Sequence, residues 1–398
     1  MLKEVYIIEG ARTAFSKYGG SLKEIHAVDL GVTVIKEAIR KAGVQPVNVN
    51  TVVVGHALHY DHNANYFHRH VGLKAGLPLE TTGFGMSCLC GTGIQSVAAA
   101  AQQIQLGIAE VTVALGVETM DQLPYHVDAK IRWGAGTGDL GIIDGLFGKG
   151  NIFYDGLAEI SMPLTAENIV TKHSISRQEQ DEFALRSHQL AKKAIESGRF
   201  AEEIVGFEVR EKKSTRIFDT DEGVRETSME QLASMKPAFK KDGTVTAGNA
   251  SGMNSGAVAM VLASAEAVEK YGLKPIAKYV SNCLAGCEPT LMGLGPVPSI
   301  NGALKQVGLT VKDLDLIEIN EAFAGQYLGC ERELGLDREK VNVNGGAIAL
   351  GHPIAASGAR IIFTLAYELK KRNLQYGVAS LCIGGGQGAA LIIENVSR

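Results

Sequence analysis

Two distant stretches of this chain read as the same unit, and that likeness limits the folds open to it. Gly93 starts an apolar, alanine-rich helical run that ends before Val111-Thr112-Val113-Ala114-Leu115-Gly116. Gly358 starts another, which ends before Val378-Ala379-Ser380-Leu381-Cys382. Counting 24 positions on from each glycine reaches Val117 and Cys382. Each unit is a small-residue turn, an apolar helix, a strand and a glycine. Such a repeat predicts a duplicated fold with pseudo-symmetry. The alternative is that any two βα units look alike at this level.

Elsewhere the chain alternates strand and helix signals. Val5 to Glu9 reads as a strand, Asp29 to Ala42 as a helix ending at Gly43, and Thr51 to Val54 as a β-branched run. This alternation predicts a layered α/β fold with a mainly parallel sheet. From about Met120 to Thr246 the pattern changes to glycine-rich loops, two helical patterns and a charged, weakly periodic stretch. Ser176-Arg177-Gln178-Glu179 is a capping-box start within it. The expected organisation is a first half at 1–119, completed by about 247–270, an inserted loop domain at 120–246, and a second half at 271–398.

Charge and composition narrow the function. The net charge is −4, with 45% hydrophobic and 21% charged residues. This is ordinary globular composition, with nothing to call for nucleic acid or an anionic membrane. No apolar run has the length of a membrane span. Met1-Leu2-Lys3-Glu4-Val5 leads directly into a strand-like run, so no export signal is expected. Six cysteines without disulfide-framework spacing suit a reducing cytoplasm.

Three residues set in glycine stand out as chemistry. Cys90, in Ser87-Cys88-Leu89-Cys90-Gly91-Thr92-Gly93, precedes the first apolar helix. A thiol at a helix start faces unpaired N–H groups and the positive end of the dipole, which favour the thiolate. His352, in Gly351-His352-Pro353, sits at a loop-to-helix junction, where an imidazole can face a pocket. Cys382 ends a strand and is followed by Ile383-Gly384-Gly385-Gly386; from a sheet edge it can exchange a proton with a substrate carbon. Two thiols and an imidazole together suggest acyl-thioester chemistry. Asn320, in Asn320-Glu321-Ala322-Phe323-Ala324, reads either as an oxyanion donor or as the cap of the next helix.

Three further signals are discounted. Gly136-Thr137-Gly138-Asp139-Leu140-Gly141 matches a dinucleotide fingerprint but lacks a preceding strand and a clear following helix. His56, His59, His62, His68 and His70 crowd together, but no cysteine or carboxylate pair completes a metal pattern, so no metal is expected. Cys88 and Cys90 have C-x-C spacing, yet in an extended segment they would point to opposite faces.

At this point a family resemblance becomes specific. Leu89-Cys90-Gly91-Thr92-Gly93, Asn320-Glu321-Ala322-Phe323-Ala324, Gly345-Gly346-Ala347-Ile348-Ala349-Leu350-Gly351-His352-Pro353 and Cys382-Ile383-Gly384-Gly385-Gly386 resemble the four thiolase active-site motifs, in order. Gly10-Ala11-Arg12-Thr13-Ala14-Phe15, Leu164-Thr165-Ala166-Glu167-Asn168 and Val245-Thr246-Ala247-Gly248-Asn249-Ala250-Ser251-Gly252 also look like thiolase segments. The likeness spans the chain and is nearest to members that act on acetyl-CoA. It implies a five-layered α-β-α-β-α fold of two pseudo-symmetric halves with an inserted loop domain, and a homodimer or homotetramer. It implies coenzyme A thioesters as substrates, with coenzyme A a substrate or product and no cofactor. By position, Cys90 would carry the acyl group and His352 would take its proton. Cys382 would serve as acid and base at the α-carbon. Asn320, through a bound water, would help His352 form one oxyanion hole, and the N–H groups of Cys90 and Gly384 would form the other. Ser251, Arg225, Met162, Ala322 and Phe323 would face coenzyme A.

The reaction implied is the reversible, non-decarboxylating Claisen condensation of two acyl-CoA, such as two acetyl-CoA to acetoacetyl-CoA. Its reverse is thiolysis of 3-ketoacyl-CoA, including longer or unusual chains. A non-catalytic acyl-CoA or lipid-binding protein on the same fold is the alternative of another class. Departures from the family pattern fall at Tyr66-Phe67-His68, Ser161, Pro163, Ala355 and Ser255, and they leave acyl-chain length open.

Overall fold

Among the described residues ten strands pair into one continuous sheet, and the two repeat-unit helices run through the middle of the molecule. The structure is a computed structural model that describes residues 2–58, 64–148 and 150–396. The strands are β1 (Val5–Arg12), β2 (Thr51–Gly55), β3 (Thr82–Met86), β4 (Val111–Thr119), β5 (Asn254–Ser264), β6 (Ala277–Gly286), β7 (Leu316–Ile319), β8 (Tyr376–Ile383) and β9 (Gln387–Glu394). Their order is β7-β8-β9-β6-β1-β5-β4-β2-β3, with the short strand Ser16–Lys17 paired to β5. The helices used below are α1 (Ala27–Ala42), α2 (Thr92–Gln105), α3 (Met162–Lys172), α4 (Arg177–Glu196), α5 (Pro296–Gln306), α6 (Ala324–Leu334) and α7 (Ile354–Arg372).

The sheet is symmetric about the β1–β6 junction. Reading outward on one side gives β1, β5, β4, β2, and on the other β6, β9, β8, β7. In both halves the outer of these pairs is parallel (β2 with β4, β7 with β8) and the inner ones antiparallel. The expected mainly parallel sheet is therefore corrected to a mixed one. The cause lies in the connections: β8 turns directly into β9 through Gly384-Gly385-Gly386, and a hairpin joins antiparallel strands.

Helices α2 and α7 pack on each other, and each touches strands of both halves. They form the central layer. Its core includes Ile94, Val97, Met260, Phe363, Leu381 and Leu391, all fully buried. Helix α1 covers the outer face of the sheet's first half through Leu30, Val34 and Ile35, and α5 covers that of its second half through Ile300, Ala303 and Leu304. This gives five layers, α-β-α-β-α. The repeat glycines Gly93 and Gly358 meet at the crossing of α2 and α7. A Cβ on Gly93 would lie 2.5 Å from the Ala359 nitrogen, and one on Gly358 2.5 Å from the Ile94 nitrogen. Only glycine allows backbones to approach so closely.

Among the described residues, the short strands between residues 120 and 246 pair with one another, outside the main sheet. The Ser176 capping box forms as read: Glu179 N–H donates to Ser176 Oγ at 3.1 Å, and the Glu179 carboxylate accepts from Ser176 N–H at 2.7 Å. Arg12 joins this region to β1. It is fully buried and reaches both Asp221 oxygens, at 2.8 and 2.9 Å, and Glu203 at 3.0 Å. Paired in this bidentate way, its charge is compensated away from water.

Candidate active site

Strand β3 ends at Met86, and the chain turns sharply before α2. Leu89 takes a left-handed φ of 44°, which costs a branched residue on the order of 1–3 kcal/mol. Cys90 sits next in a single 3-10 turn, Leu89–Gly91, ahead of α2 rather than in its first turn. Thr92 Oγ1 accepts from Cys88 N–H at 2.8 Å and fixes the turn. The left-handed residue breaks the extended geometry on which opposite facing of Cys88 and Cys90 was expected.

The Cys90 side chain is half-buried and packs against the cluster of Leu58, Met120, Leu146 and Ile354. Its sulfur accepts from the Gly384 N–H and from its own N–H. The expectation that the helix start favours the thiolate is corrected. Burial outweighs both hydrogen bonds and pushes the thiol up to about 11. Cys382, near the end of β8, is fully buried. Burial and the neighbouring Cys90 hold its thiol well above the ordinary range. Both sulfurs rest protonated. Gly384 links this pair to Met162, because a Cβ there would sit 3.2 Å from both Leu89 Cδ1 and Met162 Sδ.

His352 is held at three atoms. Its N–H donates to Asn254 Oδ1 at 3.0 Å, and Asn254 in turn donates to the Ser16 carbonyl at 3.0 Å. Gly351, at φ 102°, passes so close to the Asn254 amide that no side chain fits. Nδ1 lies 2.6 Å from Ser357 Oγ, and Nε2 lies 3.4 Å from Asn320 Nδ2. Burial, with the charge of Arg360 added, pushes the imidazole down to about 4, so it is neutral near pH 7 and able to take a proton. Met253 ties the parts together: it bridges His352 in a short β-pair and packs into the cluster that holds Cys90.

Asn320 follows β7 and is anchored by its N–H to the Ser380 carbonyl at 2.9 Å. Its side chain does not cap α6, whose N-cap is Phe323. Asn320 Oδ1 is buried with no protein partner among the described residues. The amide-to-imidazole geometry thus favours the oxyanion reading over the cap.

Met162, Ala322, Phe323 and Cys382 share one apolar cluster with Ala250. Ser251 N–H donates to the Ala322 carbonyl at 3.0 Å. Met162, Ala322 and Phe323, each expected to face a ligand, therefore meet around the Cys382 thiol, and Ser251 is tied to them through Ala322. Arg225 lies apart. It lines a cavity of about 310 Å³ with His188, Thr227, Leu232 and Met235. Its guanidinium donates to the Ala247 carbonyl at 3.4 Å, at the head of the segment that runs to Ser251. The cavity and the thiols are thus joined along residues 247–251.

Several contributors were invisible in the sequence. Ser357 and Asn254 hold His352. Glu321, buried beside Asn320, accepts from Ser187 Oγ at 2.6 Å, Asn342 Nδ2 at 2.9 Å and Ile348 N–H at 3.2 Å, and so braces the glycine loop before His352. Ser357 and Asn254 are ordinary polar residues in ordinary contexts. Glu321 carried the one usable signal, a carboxylate directly after the candidate Asn320.

The discounted motifs take the following places. His56 is buried 3.2 Å from Glu118 and stacked on Phe67, His68 packs under Gly85, and His70 stacks on Tyr66. His59 and His62 lie outside the described residues. Among the described residues no three ligating side chains form a metal site. Residues 136–141 form an exposed loop followed by the short strand Ile142–Asp144, not a helix.

Comparison with known proteins agrees along the whole length. The family model of the thiolase N-terminal domain matches residues 5–266, and that of the C-terminal domain residues 273–395. The chain is 46% identical over 399 residues to the mitochondrial 3-ketoacyl-CoA thiolase of Homo sapiens, covering 100% of both. It is also 46% identical over 401 residues to the acetyl-CoA acetyltransferase of Escherichia coli strain K12, again covering 100% of both. The crystal structures of the human mitochondrial enzyme and of the Bacillus anthracis acetyl-CoA acetyltransferase each match with a TM-score of 0.96 at 46% identity, over 99% of each chain. The human enzyme in complex with CoA matches with a TM-score of 0.94 at 45% identity, over 99% of this chain and 98% of that one.

Proposed function

This chain belongs to the thiolase family, whose members are acyl-CoA C-acyltransferases, and on that premise we propose that Cys90 is the acylated nucleophile and Cys382 the carbon acid–base. The observation that carries this is the Cys90 sulfur, held by the Gly384 N–H, beside a second protonated thiol.

The resting protonation states set the order of steps. His352 Nε2 takes the Cys90 proton, and the thiolate attacks the thioester carbonyl. The N–H groups of Cys90 and Gly384 hold the oxyanion. Cys382 gives its proton to the departing coenzyme A sulfur. That leaves an acyl-Cys90, a Cys382 thiolate and a protonated His352. The Cys382 thiolate then removes the α-proton of a second acyl-CoA. Protonated His352 and the Asn320 amide stabilise the enolate oxygen, and the enolate carbon attacks acyl-Cys90. Cys90 leaves as thiolate and recovers its proton from His352, so every group returns to its starting state. A decarboxylating synthase would not need the second thiol, which favours the non-decarboxylating reaction.

Arg225, Ser251, Met162, Ala322 and Phe323 are proposed to contact coenzyme A, which is substrate or product with no separate cofactor. The same reading divides the chain into halves at 1–119 with about 247–270, and at 271–398, around the 120–246 insert. It further holds that the enzyme works as a homodimer or homotetramer in the cytoplasm, in fatty-acid metabolism. The exposed Trp133, Ile142 and Leu157 support the assembly, since they offer apolar surface to a second copy. Six free cysteines support a reducing compartment. Among the described residues no helix is long and apolar enough to cross a membrane.

Mass spectrometry after incubation with acetyl-CoA tests the assignment. One acetyl group per chain, on Cys90, is the expected result; acetyl on Cys382 reverses the two roles.

A further inference from the structure

Strand β7 carries a carboxylate among apolar neighbours. Ile317 and Ile319 belong to the outer cluster with Ile300 and Tyr327, and Leu316 belongs to the central layer. A strand alternates its faces, so Glu318 and Asn320 share the central side with Leu316. Helix α7 lies on that side. Ser357, Arg360 and Thr364 follow one another along it at helical spacing, all buried. Arg360 donates to Glu318 Oε2 at 3.0 Å, and among the described residues this is the one hydrogen bond between α7 and β7. One turn further on, Thr364 donates to Glu203, the partner of Arg12, at 3.0 Å and anchors α7. Strand β7 has less to hold it: it is four residues long and ends the sheet.

Stability does not explain the pair. Glu318 and Arg360 are both buried, and Arg360 Nε has no partner among the described residues. Burial pushes the Glu318 carboxyl up to about 7 despite the charge of Arg360. A buried ion pair of this kind is often no more stable than apolar side chains of the same volume. What it adds is a fixed distance. At one end, Glu318 lies two residues before Asn320. At the other, Arg360 lies one helical turn after Ser357, which holds His352 Nδ1 at 2.6 Å. The pair thus joins the two elements that bring Asn320 Nδ2 and His352 Nε2 to 3.4 Å. We infer that Glu318 and Arg360 are positioning residues for the enolate: their ion pair holds β7 against α7 and so sets the distance between the Asn320 amide and the His352 imidazole. This inference rests on the proposed thiolase reading, in which those two groups stabilise the enolate oxygen. Acylation of Cys90 uses a different oxyanion hole, the N–H groups of Cys90 and Gly384, and His352 keeps its own anchors at Asn254 and Ser357. Loosening the pair therefore slows condensation and spares acylation.

The test is the double variant Glu318→Leu/Arg360→Met, which replaces the ion pair with apolar side chains of similar volume. Its urea midpoint is expected to equal or exceed that of the unaltered enzyme. The rate of acetyl transfer from acetyl-CoA to Cys90, followed by intact mass in a single turnover, is expected to be nearly unchanged. Condensation kcat is expected to fall about tenfold, less than outright removal of an oxyanion donor costs. Glu318→Gln keeps an acceptor for Arg360 and is expected to retain most of the condensation rate. A double variant that keeps both rates overturns the inference. So does one that loses both alike, or one whose urea midpoint falls. A loss in Glu318→Gln as large as in the double variant overturns it too. Absence of acetyl transfer onto Cys90 in the unaltered enzyme overturns the thiolase reading beneath it.

Discussion

His352 Nδ1 lies 2.6 Å from Ser357 Oγ, whose single proton is committed to the Pro353 carbonyl at 2.8 Å. The hydroxyl can only accept from the ring, so Nδ1 carries the hydrogen and Nε2 is the free basic nitrogen. Nε2 is also the atom that faces Asn320. One helix-turn serine thus selects the tautomer that the chemistry requires. Ser357→Ala removes the restraint without touching substrate. It is expected to lower kcat roughly tenfold, less than the roughly 10²–10⁴-fold that general-base catalysis contributes because the base itself remains, with KM little changed. Ser357→Thr, which restores the hydroxyl, recovers most of the rate. Steady-state thiolysis kinetics on the three proteins separates this positioning role from a packing defect.

The two thiols make separable predictions. Cys90→Ala abolishes acylation, with the circular dichroism spectrum and melting curve unchanged. Cys382→Ser keeps acetyl transfer onto Cys90, because coenzyme A can depart as a thiolate without that acid, but loses condensation, because a serine hydroxyl does not ionise to take the α-proton. Intact-mass measurement reads the first step, and coupled release of coenzyme A reads the second. Simultaneous loss of both steps in Cys382→Ser counts against a separate carbon base.

Much of this site was legible because glycine surrounds each reactive residue. Gly91, Gly351 and Gly384 are where backbone or ligand must come close, and sequence shows glycine directly. The thiol ionisation was misread for a physical reason. A helix start is visible in sequence, whereas burial is a property of the assembled fold, and at Cys90 burial prevails. Strand direction was misread differently. Cys382-Ile383-Gly384-Gly385-Gly386-Gln387, between two apolar runs, is a hairpin signal that the α/β alternation obscured. Ser357 and Asn254 left no trace because a serine one turn into a helix and an asparagine at a strand start are commonplace.

The imidazoles predict a pH dependence of stability. His352 and His188 are both pushed down to about 4, by burial first and then by Arg360 and Arg225 respectively. Unfolded, each titrates near 6.5. Between pH 6.5 and 4 the unfolded chain therefore binds protons that the native chain does not, and stability falls as pH falls through that window. Above pH 6.5 neither group contributes to the slope. Each tenfold loss of proton affinity on folding is worth about 1.4 kcal/mol, so the two imidazoles together account for several kcal/mol. Urea midpoints measured from pH 7.5 to 4.5 are expected to drop, and His188→Gln is expected to flatten the drop. An unchanged slope in His188→Gln removes that residue from the account.

The repeat-related glycines give a prediction about the fold itself. Gly93 and Gly358 hold equivalent places in the two halves and face each other at the crossing of α2 and α7. A methyl group on either would fall 2.5 Å from a backbone nitrogen of the other helix. Backbone cannot rotate aside as a side chain can, so the helices must separate. Alanine would ordinarily stabilise a helix by about 1 kcal/mol relative to glycine. Here overpacking, at about 1–3 kcal/mol or more, reverses the sign. Gly93→Ala and Gly358→Ala are each expected to lower the urea midpoint. Because α2 follows the Cys90 turn and α7 follows His352, each is also expected to slow acylation of Cys90. The double variant Gly93→Ala/Gly358→Ala is expected to cost less than the sum of the singles, because helices already parted by one methyl group make room for the second. Additive losses would mean that the two glycines do not share one contact.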